Sequence, residues 1–129
     1  MKKFLVILSI SIAACSNGGQ VNSMESNIEQ LDVAAFQSRL ADAKEEVLLD
    51  VRTAEEFASG GIEGAINIDF KAPDFEQKIG ELDKTKTYLV YCLSGIRSKK
   101  AADRMSELGF ESLYTLDGGY SAWTEKESE

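Results

Sequence analysis

The chain has 129 residues, room for one domain around one hydrophobic core. A hydrophobic fraction of 43% and a charged fraction of 28% are those of an ordinary globular protein, and a net charge of -8 argues against nucleic acid as a partner. Histidine is absent, which removes Cys–His catalysis and most zinc sites together, so no metal or cofactor is expected.

Met1-Lys2-Lys3 is a basic start, and residues 4–14 form an apolar run too short to span a bilayer as a helix. Ile12-Ala13-Ala14-Cys15 then resembles the lipobox of bacterial lipoproteins. The resemblance implies a signal segment over 1–14, cleavage before Cys15, and lipidation of that cysteine as the new N-terminus. Ser16 suits an outer-membrane destination, so the expected location is the cell envelope, on the periplasmic face of the outer membrane if the cell is diderm. The alternatives are ordinary secretory cleavage near Ala13 or Ala14 and an uncleaved anchor, and Ile12 fits the small-x-small pattern of such cleavage poorly. With each buried methylene contributing about 0.8 kcal/mol, two or more acyl chains hold a protein on a membrane stably. Cleavage removes Lys2 and Lys3 and takes the net charge from -8 to -10, so the body should not lie flat on anionic lipid. Residues 15–27 continue as a polar linker with an r.m.s. reach of roughly 20 Å. With Cys15 acylated, Cys92 is the only thiol that remains. It is then neither half of a structural disulfide nor one of a resolving pair.

Residues 28–129 read as one folded domain. Asp32 is an N-cap for a helix with Val33, Phe36 and Leu40 on one face. Val47 to Val51 is an apolar run that suits a strand covered on both faces. Thr53-Ala54-Glu55-Glu56 has the capping-box pattern of a short helix with Phe57 turned inward, ended by Gly60-Gly61. Ala65 to Ile68 is a second strand, and Pro73 to Leu82 a helix with Phe75, Ile79 and Leu82 at helical spacing. Thr87 to Cys92 is the next strand. Lys99 to Leu108 is a helix burying Ala101, Met105 and Leu108, closed by Gly109. Ser112 to Leu116 is the last strand, and Tyr120 to Trp123 a final helical turn, with Trp123 in the core. Short apolar strands alternating with helices predict a small parallel α/β sheet with helices on both faces.

The chemistry gathers at Cys92, at the carboxyl end of a strand, where ligands bind in such sheets. Residues 93–97 (Leu93, Ser94, Gly95, Ile96, Arg97) form a loop whose N–H groups can curl around an anion, and the following helix start adds partial positive charge. Both favour thiolate, so Cys92 should be more acidic than free cysteine. An inert buried thiol at a strand end is the plain alternative. Gly95 permits the unusual backbone angles of a tight loop, and Arg97 supplies a fixed cation for an anionic substrate. Ser94 and Ser98 offer hydroxyl donors or helix caps, with capping the expected role of Ser98.

Four stretches in this order resemble the rhodanese-like (sulfurtransferase) domain family: Leu49-Asp50-Val51-Arg52 with Glu55-Glu56-Phe57, Gly64-Ala65-Ile66-Asn67-Ile68, residues 91–98, and Leu116-Asp117-Gly118-Gly119-Tyr120-Ser121-Ala122-Trp123. The resemblance covers residues 28–125. It implies that Cys92 attacks a sulfane sulfur and holds it as a persulfide until a thiol or cyanide-like acceptor takes it. It also implies that residues 93–97 cradle that sulfur, that Arg97 binds an anionic donor, and that Asp50 and Arg52 are structural ion-pair residues. Glu56 is expected to pair with Arg52, with a solvated surface triplet as the alternative. Where many relatives carry Gly-His-Ile-Pro-Gly-Ala, this chain has Gly60-Gly61-Ile62-Glu63-Gly64-Ala65, so a looser turn is expected there. Leu93 stands where a basic side chain often helps recruit thiosulfate.

Two other readings compete. Cysteine-based phosphatases and arsenate reductases share such a loop, but a phosphatase loop needs one residue more between cysteine and arginine than the four found here. The other is a redox-sensing or protein-binding module without catalysis, since fold alone does not fix function.

Overall fold

In the computed structural model, residues 26–129 are described. The expected signal segment, Cys15 and most of the expected linker lie outside them. Five parallel strands form one sheet in the order β1-β5-β4-β2-β3: β1 Ile28–Leu31, β2 Val47–Asp50, β3 Ile66–Asn67, β4 Thr87–Tyr91 and β5 Ser112–Leu116. The helices between them are α1 Val33–Asp42, α2 Ala54–Ala58, α3 Phe75–Gly80, α4 Ile96–Glu107 and α5 Gly119–Glu127.

The two-residue alternation of β4 splits the core between the faces of the sheet. Tyr88, Val90 and Cys92 join Phe75 and Ile79 of α3 and Ala101, Ala102 and Met105 of α4 on one face. Leu89 and Tyr91 join Val33 and Phe36 of α1 on the other, where Tyr120 and Trp123 of α5 also pack. Trp123 meets Phe36 edge-to-face at 6.3 Å. The central strand is thus buried along both faces, as its continuous apolar run requires.

Helix starts follow their caps. Asp32 accepts from Ala35 N at 2.8 Å to open α1. Thr53 and Glu56 form the reciprocal capping box of α2, whose Phe57 is only half-buried. Five elements differ from expectation. β1 was not expected as a strand; apolar at its two ends only, it gains its place by pairing with β5. The strand expected over 65–68 shortens to Ile66–Asn67, and α3 starts at Phe75 rather than Pro73. Helix α4 begins at Ile96, three residues early, because Gly95 at φ +99° turns the chain directly into it. α5 runs on to Glu127 through polar, exposed residues that carry no apolar period. Asn27, placed in the linker by its composition, is tied to the fold: its side chain donates to the Phe110 carbonyl, and its Oδ1 accepts from Ser106 Oγ at 2.6 Å.

Candidate active site

Strand β4 ends at Tyr91, and Cys92 follows it with no exposed surface. Residues 93–97 wrap its sulfur. Gly95 N donates to Sγ at 3.1 Å, and Ser98 Oγ lies 3.5 Å away. In the thiol form Sγ–H donates to Ser98 Oγ, whose own hydroxyl donates to the Gly95 carbonyl at 3.2 Å. When the proton leaves, that hydroxyl is free to turn and donate to the thiolate. Burial pushes the thiol pKa up. The Ser98 hydroxyl and N–H, with the N–H groups of Gly95 and Ser94, outweigh it and leave Cys92 below the ordinary cysteine value. Ser98 is therefore no helix cap. It is fully buried against the sulfur, and the cap position of α4 is Gly95, without a side-chain bond.

The loop holds this shape because α5 backs it. Tyr120 N donates to the Cys92 carbonyl at 2.8 Å, and Ser121 N to the Leu93 carbonyl at 3.0 Å. These are free N–H groups of the first helical turn, satisfied here by the loop. In a trans peptide the N–H points opposite to the C=O. Anchoring both carbonyls on α5 therefore turns the Leu93 and Ser94 N–H groups away from α5, and that of Ser94 favours the thiolate. Gly119, at φ +60°, makes the approach possible: a Cβ there would lie 2.6 Å from the Cys92 and Leu93 carbonyl oxygens. Asp117-Gly118-Gly119, which leads from β5 into α5, is also the platform under the loop.

Arg97 does not stand free. Its Nη1 and Nη2 donate to Glu56 Oε1 and Oε2 at 2.7 and 3.0 Å, a bidentate pair between α4 and α2. The Arg97 bond is the main cause that holds the Glu56 carboxyl down to about 2. Glu56 thus pairs with Arg97 and not, as expected, with Arg52. The reason is local: Thr53 N and Oγ1 also donate to Glu56 Oε1, fixing the carboxylate at the start of α2 where the Arg97 fork reaches it.

Arg52 pairs instead with Asp50, both almost wholly buried. Nε donates to Oδ1 and Oδ2 at 3.0 Å, and Nη2 to Oδ2 at 2.7 Å. The guanidinium lies 4.5 Å from the Tyr120 ring centre and donates to the Gly60 carbonyl at 2.6 Å. Tyr91 Oη accepts from Ile62 N at 3.0 Å. The turn expected to be loose is therefore pinned at Gly60 and Ile62 by two buried side chains, in the absence of the proline and histidine. Gly61 leaves room for them, since a Cβ there would sit 2.9 Å from Arg52 Nη2.

Leu93 and Ile96 project into solvent. No group of three or more Cys, Asp or Glu side chains gathers as a metal site among the described residues, and no helix among them is long and apolar enough to cross a membrane. The arrangement brings Cys92, Ser94, Gly95 and Ser98 together around one sulfur, keeps Arg97 beside it through Glu56, and sets Asp50 and Arg52 under the neighbouring turn. Sequence reasoning missed Glu56 as the partner of Arg97 and Gly119 as the close approach, and it placed capping ahead of a hydroxyl contact to the sulfur for Ser98. The capping-box and Asp-Gly-Gly patterns marked two of these positions without revealing what they meet.

Residues 32–126 match the Rhodanese-like domain family. The chain is 37% identical over 87 residues to the thiosulfate sulfurtransferase GlpE of Shewanella oneidensis, covering 67% of this chain and 84% of that one. It is 40% identical over 94 residues to the tRNA uridine(34) hydroxylase of Cytophaga hutchinsonii, covering 70% of this chain but only 30% of that longer protein. Among solved structures, a rhodanese-related protein from Thermoplasma volcanium superposes with a TM-score of 0.66 at 28% identity, over 76% of this chain and 92% of that one.

Proposed function

The chain belongs to the rhodanese-like domain family, and from that premise we propose that it moves sulfane sulfur through a persulfide on Cys92. Similarity to a sulfurtransferase over most of that protein's length supports a rhodanese-type enzyme. The observation that carries the finer reading is the convergence of polar groups on one sulfur: Gly95 N donates to it at 3.1 Å and Ser98 Oγ lies 3.5 Å away.

The Cys92 thiolate attacks the terminal sulfur of a donor. A new S–S bond forms, the donor's bond to that sulfur breaks, and the donor's remainder leaves with the electron pair. The outer sulfur of the persulfide is then attacked by a thiolate or cyanide-like acceptor, and the Cys92 thiolate is regenerated. No net oxidant is consumed, and no second protein thiol is needed. The same N–H groups that stabilise the thiolate serve the anionic persulfide. A phosphatase reading is poorly supported, because Glu56 already fills the guanidinium fork that would hold a phosphate.

The N-terminal pattern supports a second proposal, that the domain works at the cell envelope on a lipidated Cys15. Incorporation of labelled fatty acid in the wild type, lost in Cys15→Ser, tests it. Steady-state kinetics with varied donor and acceptor test the activity. Parallel double-reciprocal lines support a covalent sulfur-carrying intermediate, and intersecting lines oppose it.

A further inference from the structure

Arg97, the cation that closes the Cys92 loop, is already neutralised. Its two terminal nitrogens are both committed to Glu56, whose carboxylate is itself fixed by the α2 capping box. Arg97 is close enough to Cys92 to interact with its charge. The next cations along α4, Lys99 and Lys100, line a groove with Ser94, Gly95 and Ile96 of the loop, where Asp103 and Asp117 offset their charge. An incoming oxyanion would lose hydration without meeting an unpaired guanidinium, and would approach the Glu56 carboxylate. The loop's own exposed side chains are apolar: Leu93 is 41% and Ile96 64% exposed. An apolar group covering them removes that surface from water. Cys92, with no exposed surface of its own, suits a slender terminal sulfur whose carrier stays outside the loop.

We propose that the Glu56–Arg97 pair and the apolar Leu93–Ile96 rim set the donor class of this site: sulfur arrives on an uncharged, apolar carbon carrier, as an organic hydropersulfide, and not on a small inorganic oxyanion. The inference rests on the sulfurtransferase reading above. The Cys92 thiolate bonds to the terminal sulfur of R–S–SH, the donor's S–S bond breaks, and R–S⁻ leaves with the electron pair. The proton of the terminal sulfur stays on the new persulfide until it ionises.

A matched donor pair isolates the effect of charge. Benzyl hydropersulfide and 4-carboxybenzyl hydropersulfide, generated in situ, are each reacted with the chain, with thiosulfate in parallel. Sulfur uptake on Cys92 is followed by mass spectrometry, and each rate is divided by that of a free thiol. The donor on the uncharged carrier is expected to be preferred by about tenfold over the carboxylate, and by more over thiosulfate. Glu56→Gln, which releases Arg97, should erase that preference. Leu93→Lys should lower it too, at an exposed position that leaves the capping box intact. A carboxylate donor that reacts as fast as the one on the uncharged carrier overturns the proposal but leaves sulfur transfer standing. So does a ratio unmoved in both variants. Absence of uptake from all three donors overturns both.

Discussion

Gly119 lies directly beneath Cys92: a methyl group on it would come within 2.6 Å of the Cys92 carbonyl oxygen. Gly119→Ala must therefore push the loop away from α5, on top of the strain of an alanine at φ +60°, worth about 1–3 kcal/mol. Sulfur-transfer activity should fall by more than the loss of thermal stability explains. Ser121→Pro isolates the loop contact, since it removes only the N–H that holds the Leu93 carbonyl, in a first turn where proline is tolerated. It should keep its melting temperature within a few degrees of wild type, and its thiol should alkylate more slowly at neutral pH.

Ser98→Ala removes the side chain that most favours the Cys92 thiolate. A hydrogen bond to a charged group contributes about 1.5–3 kcal/mol, so alkylation and turnover at neutral pH should drop about tenfold or more. The sign is fixed: the thiol pKa rises, the thiolate fraction falls below it, and the pH–rate curve moves to higher pH. At strongly alkaline pH wild type and variant should converge. Iodoacetamide kinetics across pH measure both limbs.

Asp50 and Arg52 form the buried pair that also ties the Gly60 carbonyl. Removing one partner leaves the other charge buried and alone, which costs about 3–5 kcal/mol. Asp50→Ala should lower the urea midpoint accordingly, and Arg52→Met by a comparable amount while also freeing the turn at Gly60.

Glu56 contributes to stability in a defined pH window. Its carboxyl is lowered from 4.5 to about 2, so the folded state binds the proton less readily than the unfolded chain does. The contribution is therefore fully present above the ordinary carboxylate range and is lost as pH falls through about 2. The melting-temperature gap between wild type and Glu56→Gln should be constant from pH 6 to 8 and should shrink progressively below about 4.5.

The parts of this molecule legible in the sequence are those written locally. The Leu48–Val51 and Tyr88–Cys92 runs state buried strands, Thr53-Ala54-Glu55-Glu56 states a helix start, and the phase of Phe36 and Met105 states which helix faces are inside. The parallel order of the sheet follows from the alternation of strand and helix. What stayed hidden is set across distance. Glu56 meets Arg97 over 41 residues of chain, and Gln30 meets Asp117 over 87. Periodicity carries no information about either. Ser98 reads as a cap by its position beside a loop, yet Gly95 in a left-handed conformation starts the helix early and turns Ser98 inward. β1 escaped because an edge strand with polar central residues has no pattern of its own, only a neighbour.

The central claim is that Cys92 itself carries the transferred sulfur. Intact-mass measurement of the chain after brief exposure to a hydropersulfide donor tests it most directly. The account predicts a gain of one sulfur atom, located on Cys92, removed by a thiol acceptor and absent in Cys92→Ser. Sulfur that reaches the acceptor equally well in the Cys92→Ser variant would contradict it.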